Sequence, residues 1–434
     1  MADQTGIAAH PLRNTLLNEA HARPFESLNA PLRVSHLVMH TGTSGRREEV
    51  EHMSGLCERL QVDPPNAEAG HFVLETSAFR LRWERHTEFS TYTIFVNGAE
   101  SEPFSETAIQ ALPSTWLTGL PGELLAAMHV SLVPAASIEA SIESLGRYFH
   151  ADSLAGSECA GRAASVWTDF LADQSGFLRF LVIDDSLNAM QAGRLIQRLL
   201  EIETYRFMAL LSFPLARERS ADITDMETRL GTLMDRLATV AELADERDLL
   251  SALSDLSAQI ERQMAQTNFR FSATAAYGTL VRRRLNALRE QRIEGVSTLD
   301  EFMERRLAPA LDTCVHMGER LERLSERVSR AANLLRTRVD VALEAQNRDL
   351  LDSMNRRASL QLRLQQTVEG LSVVILSYYV VSLVGYAMRG LERIGFMPNA
   401  DIATALSIPV VVTSVAVGIG LVRRRVISAD ANAG

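Results

Sequence analysis

The sequence predicts an α+β chain: an amino-terminal mixed α/β domain, a long coiled-coil-like helical stalk, and a carboxy-terminal hairpin of two transmembrane helices. Three observations carry that expectation. The long uninterrupted apolar stretches lie after Gly370, the middle of the chain is dense in Arg, Asp and Glu around apolar residues at helical spacing, and the amino-terminal part mixes short apolar runs with amphipathic segments. The expected boundaries are 1–213 for a cytoplasmic domain, 214–369 for helical bundle and stalk, 370–422 for the hairpin (370–388 and 402–422), and 423–434 for a cytoplasmic tail.

In the first part, Val34 to His40, His71 to Glu75, Phe79 to Trp83, Ser90 to Val96 and Phe177 to Ile183 read as strands. Arg47 to Leu60, Ser137 to Phe149 and Leu187 to Ser212 read as helices. Nine of the ten histidines fall before residue 151, which raises the question of a metal. Their spacing argues against one: His36 and His40 share a strand face roughly 13 Å apart, and His10 and His21 have no further ligand cluster. No metal site is expected.

The run Trp83-Glu84-Arg85-His86-Thr87-Glu88-Phe89 is the densest in chemistry. Glu84, Arg85, His86 and Glu88 at a strand end suit a proton-transfer or anion site, or a solvated ion-pair network closing a hairpin. A second run, Glu201 to Arg206, lies on an expected helix, where Glu201 shares a face with Tyr205 and Glu203 with Arg206. It reads as packing and ion pairing between helix and sheet.

Several function classes are excluded by composition. All 44 basic residues are arginine, so the chain has no Walker-type phosphate loop, Schiff-base lysine or lysine general base. A net charge of −10, with arginines interleaved among carboxylates, argues against a nucleic-acid surface. No GxSxG, HExxH, GxGxxG or EF-hand pattern occurs, so no catalytic or cofactor-binding residue is assigned and no cofactor is expected. Cys57, Cys159 and Cys314 share no ligand spacing, and no apolar core of a secretory signal opens the chain. Both points lead us to expect structural thiols in a reducing cytoplasm.

In the middle part, Met226, Leu230, Leu233, Leu237 and Val240 alternate four and three apart, and Leu249, Leu253, Leu256 and Ile260 resume after a slip. Arg270 to Arg292 continues as helix. Thr298 and Glu301 form a capping-box pattern, and Pro309 kinks the next helix or starts it. Met317, Leu321, Leu324, Val328, Ala331 and Leu335 form another heptad seam. Without Pro or Gly between Glu319 and Glu369, this helix runs on into the first apolar span. Antiparallel packing of the earlier helices on the stalk is preferred to an intermolecular coiled coil.

Gly370 to Met388 and Ile402 to Val422 carry no charge, and each covers roughly 28 Å or more at 1.5 Å per residue. Arg356, Arg357 and Arg363 precede the first; Arg423, Arg424 and Arg425 follow the second. Both outer ends are therefore expected in the cytoplasm, with the short loop outside. Tyr378, Ser382 and Tyr386 make one polar stripe, which lines a pore or wet helix seam or bonds back to backbone or second helix.

His10-Pro11-Leu12-Arg13, His21-Ala22-Arg23-Pro24, Trp83 to Phe89, Glu201 to Arg206 and the stalk into Ser377-Tyr378-Tyr379 together resemble a bacterial family of uncharacterised membrane-anchored proteins, defined by a domain of unknown function. The domain order is also similar in architecture to the CorA magnesium transporters. That likeness implies a homo-oligomer, commonly a pentamer, with the first span lining a pore. CorA proteins carry Gly-Met-Asn at the outer end of that span. Here Ala387-Met388-Arg389 stands in its place, and a ring of Arg389 would repel divalent cations.

The function expected is a membrane-anchored cytoplasmic scaffold or sensor, homo-oligomeric and in contact with the lipid bilayer of the bacterial inner membrane. A CorA-like channel with Tyr378, Ser382, Tyr386 and Arg389 at its pore is the alternative. An enzyme using Glu84, His86 and Glu88 comes third.

Overall fold

A computed structural model describes residues 10, 12–13, 25–42, 45–98, 102–395 and 399–430. Pro11, His21 to Pro24 and the side chains of Arg423 to Arg425 lie outside what is described. Strands are β1 Leu32–His40, β2 His71–Glu75, β3 Arg80–Arg85, β4 Phe89–Asn97, β5 Glu123–Pro134, β6 Ala155–Cys159, β7 Ala164–Thr168, β8 Leu178–Asp184 and β9 Gln291–Arg292. The longer helices are α1 Arg46–Leu60, α2 Ala189–Leu210, α3 Ser212–Thr239, α4 Leu243–Leu288, α5 Leu299–Arg306, α6 Ala308–Arg393 and α7 Ala400–Asp430.

The strands form one sheet in the order β2-β3-β4-β1-β5-β8-β7-β6-β9, antiparallel except where β5 runs parallel to β8. Period-two alternation sorts the side chains. Leu32 and Val34 of β1 join the core under α2 with Phe180, Leu195 and Leu199, while Leu37 and Met39 join the core under α1 with Met53, Leu56 and Trp83. The sheet is thus covered on both faces, and α4 and α5 add Val281, Leu285 and Met303 to the α2 side.

All five strands read from sequence are present. The central strand β5 was not among them: its Glu-Leu-Leu-Ala-Ala-Met opening favours helix locally, yet pairing with β1 and β8 holds it extended. The helix expected over Ser137 to Phe149 shrinks to a single turn, Ile142–Leu145, capped by Ser141 and followed by Gly146. The Thr298–Glu301 capping box forms, and Pro309 sits in the first turn of α6, where its missing N–H costs nothing.

Two compact units divide the chain: residues 1–240 with 248–332, and residues 241–247 with 333–434. In the first, heptad residues Leu230, Leu256, Leu321 and Val328 are buried within the chain, and Arg320 binds Glu227 while Ser325 binds Glu261. In the second, Arg338 pairs with Glu246, and α6 passes Gly385 close to Thr404 of α7. Helices α6 and α7 each hold a stretch long and apolar enough to cross a membrane, with mean hydropathy 1.9 and 2.2.

Candidate functional site

The two charge-dense runs meet in the first unit. In the β3–β4 hairpin Arg82 lies opposite Thr93 and Glu84 opposite Thr91. The pleat sends Arg82 and Glu84 to the α2 face and Trp83 and Arg85 to the α1 face. On the α1 face they find Glu49, fully buried. Trp83 Nε1, Arg85 Nη1 and Ser90 Oγ donate to its carboxylate at 3.2, 3.1 and 2.5 Å, the donors that a carboxylate removed from water requires.

On the α2 face Arg82 and Glu84 pair at 3.2 Å beside a cavity of about 270 Å³. Helix α2 lines it with Gln197, Leu200, Glu201, Thr204 and Tyr205, residues spaced three, one, three and one apart along a single helical face. Arg284 of α4 enters from the side and pairs with Glu201, which also accepts from Gln197 Nε2 at 3.0 Å. Phe25, Phe89 and Leu200 supply apolar wall. Thr91 Oγ1 and Gln197 Oε1, both buried, have no hydrogen-bond partner among the described residues.

His36 of β1 closes the floor. Its Nδ1 lies 2.7 Å from Thr93 Oγ1 and its Nε2 3.2 Å from Thr204 Oγ1. The Thr204 hydroxyl already donates to Leu200 O at 2.7 Å, so it accepts from Nε2–H, and Nδ1 accepts from Thr93. Burial, then the nearby Arg82 and His86, pulls this imidazole down to about 3. It is a neutral strut rather than an acid.

At the hairpin tip Glu88 accepts from Arg270 Nη2 at 2.6 Å and from the Tyr277 hydroxyl at 3.1 Å, both on α4. Burial first, then the Glu88 charge, raises the Tyr277 phenol. His86 stacks on Phe89, with ring centroids 4.4 Å apart. These two rings and Tyr205 also border a second hollow of about 520 Å³, lined further by Arg46, Arg85, Thr87 and Tyr277. Glu203, fully buried, is held by Arg206, whose guanidinium lies over the Phe207 ring.

Glu84, Glu88, Glu201 and Glu203 are thus each matched to a guanidinium: Arg82, Arg270, Arg284 and Arg206. Committed carboxylates, a neutral strut and apolar walls suit the holding of a small polar molecule, for which Thr91 and Gln197 offer open hydrogen-bond positions.

The expected cluster of Glu84, Arg85, His86 and Glu88 is divided. Glu84 faces the cavity, Arg85 turns to Glu49, Glu88 turns to α4, and His86 stands between the two hollows. It is not a solvated network either, since Glu84, Arg85 and Glu88 are all buried. Glu201 and Tyr205 do share a face, and it is the cavity face. Sequence reasoning missed Glu49, Arg82, Gln197 and Arg284 as partners. Nothing local marks Arg284 apart from its neighbours Arg282 and Arg283.

Elsewhere, Ser382 Oγ donates back to Tyr378 O at 2.8 Å, and Tyr378 and Tyr386 are each 70% exposed. Arg389 lies over the Tyr386 ring at 5.7 Å. The three cysteines are buried and unpaired, and burial pushes the Cys159 thiol up to about 12. Among the described residues no three His, Cys, Asp or Glu side chains converge as a metal would need.

A family model described as protein of unknown function (DUF3422) matches residues 8–426. The chain belongs to this family. The match takes in the whole DUF3422 sheet, the cavity residues and nearly all of α7. No curated protein and no solved structure matches the chain, so the likeness to CorA gains no support from the comparisons.

Proposed function

We propose that this DUF3422 protein is a membrane-anchored cytoplasmic binding protein, a sensor or scaffold rather than an enzyme. Helices α6 and α7 form its anchor in a bacterial inner membrane, with both chain ends on the cytoplasmic side. The observation that carries the reading is burial: the most apolar window of α6 is only 11% buried and that of α7 not at all. A core helix of a soluble protein has the opposite character, and exposed apolar surface on this scale needs lipid or a partner. The cavity bordered by Arg82, Glu84 and Glu201 is the sensing site in this reading, because its charges are paired for binding.

The test is fractionation. The full chain is expected to stay in the membrane pellet through alkaline carbonate, and a chain ending at Glu369 to leave it. A full chain released by carbonate sinks the anchor.

A CorA-like conduit is the second reading, favoured by one observation: Tyr378 and Tyr386 present their hydroxyl-bearing rings on the open side of α6. The anchored sensor predicts no flux of mono- or divalent ions in proteoliposomes. Flux that disappears with Ser382→Leu would replace it with the conduit.

A further inference from the structure

Helix α6 carries a second heptad seam that nothing in the described chain covers. Leu335 and Val339 are still buried and Leu343 is half-buried, but further on the apolar side chains stand open, and Leu350, Met354, Leu364 and Val368 are 58–68% exposed. Leu343, Leu350, Leu364 and Leu371 fall on one heptad position. Asn347, Met354, Gln361, Val368 and Ile375 fall on the other, alternating four and three with the first. In coiled-coil terms the leucines are d and the second set is a. Of the charges in this stretch, Arg348, Asp349, Asp352, Arg356, Arg363 and Glu369 occupy the outer b, c and f positions, Glu344 flanks the seam at e, and Arg357 falls on it. Leu351 and Leu360, also exposed, widen the seam at e and g, while Leu362 stands outside it at b; an apolar face of this length is built to be covered.

We propose that the seam is covered by a second copy of this chain, as a parallel two-stranded coiled coil in register from Leu343 to Ile375. Leucine at d with β-branched Val368 and Ile375 at a is the two-stranded composition. Asn347 at an a position meets its own copy only when the strands are parallel and in register, and a single such layer selects register and strand number. Arg357 at d and Gln361 at a make one polar step, and in register the two Arg357 guanidinia meet across the d layer, where their long stems must carry the charges outward to the edges of the seam. The same three polar residues sit mid-face, which makes a lipid surface a poorer occupant. The parallel sense agrees with the anchored reading and rests on it in part, since two copies entering one bilayer from the same side run the same way. Gly385 meets Thr404 of α7 further on, so the in-chain contact leaves this seam open.

The experiment uses full-length protein in native membranes with single cysteines introduced by Leu350→Cys, Met354→Cys, Asp352→Cys and Ser359→Cys. The three native thiols are buried, so background coupling is low. Oxidation is expected to give covalent dimer about ten-fold faster from positions 350 and 354 than from the outer positions 352 and 359. Native mass spectrometry is expected to read a dimer. The double substitution Leu350→Glu with Leu364→Glu is expected to read a monomer whose first unit melts unchanged. Equal rates at all four positions, no coupling at the seam, or a trimer or larger assembly would overturn the proposal. Carbonate extraction of the same membranes separates the two readings. Release with intact coupling removes the anchor alone, and retention without coupling removes the seam alone.

Discussion

The sheet and the distal half of α6 invert one another. In the sheet, charge is inside: Glu49 and Glu203 are fully buried, each gripped by a guanidinium. Along distal α6, apolar groups are outside, with Leu350, Leu364 and Val368 mostly exposed. A buried carboxylate is tolerable only when donors replace the water it lost. An exposed leucine row is tolerable only when something other than water lies against it. The first region is therefore satisfied by its own chain, and the second leaves its apolar row exposed, which is what the proposed second copy would cover.

The largest effect should come from breaking a completed site. Glu49→Ala leaves Arg85 buried without its carboxylate, and is expected to cost about 3–5 kcal/mol, read from the urea midpoint. A loss below about 1 kcal/mol would mean that water reaches this pair and would erase the contrast.

Leucine truncation sharpens the comparison directly. Leu256→Ala, in the buried seam of α4, is expected to cost about 2–5 kcal/mol, whereas Leu364→Ala should leave the melting of the first unit within about 0.5 kcal/mol. Similar losses at both positions would show that distal α6 is covered within the chain.

Acid should weaken the sheet unit through its interior imidazoles. Burial brings His36 down to about 3 and His129 to about 4, against 6.5 when unfolded. Protons thus favour the unfolded chain. Neither residue matters above pH 6.5, and stability falls as pH drops below it, by up to about 1.4 kcal/mol per pH unit for each. His129 stops contributing near pH 4 and His36 near pH 3. The pair His36→Gln with His129→Gln is expected to flatten this slope in urea midpoints taken from pH 6.5 to 5. An unchanged slope would mean that water reaches both rings.

The smallest change is expected at a surface pair. Glu326→Ala removes an exposed partner of Arg330 and should shift stability by less than about 0.5 kcal/mol in calorimetry.

Much of the fold was legible because hydrophobic period reports burial: β1, β4, α2 and the seams of α3, α4 and α6 all repeat at their element's period. β5 was illegible because its local preference is helical and only its neighbours hold it extended. The Ser137 to Phe149 segment failed in the opposite direction, its helix ending after one turn at Gly146. Both charge-dense runs were visible, but not that they border one cavity, nor that the pleat parts Glu84 from Arg85.

The sequence by itself determined the division into an α+β part and an apolar helical end, the heptad rows, the absence of lysine chemistry and the family. These depend on composition and on spacing within one element. The pairing of Glu49 with Arg85, the neutral lock on His36 and the entry of Arg284 beside Glu201 were decided only by tertiary structure. Each joins residues far apart in the chain, and no local period records which carboxylate a guanidinium will meet once the sheet closes.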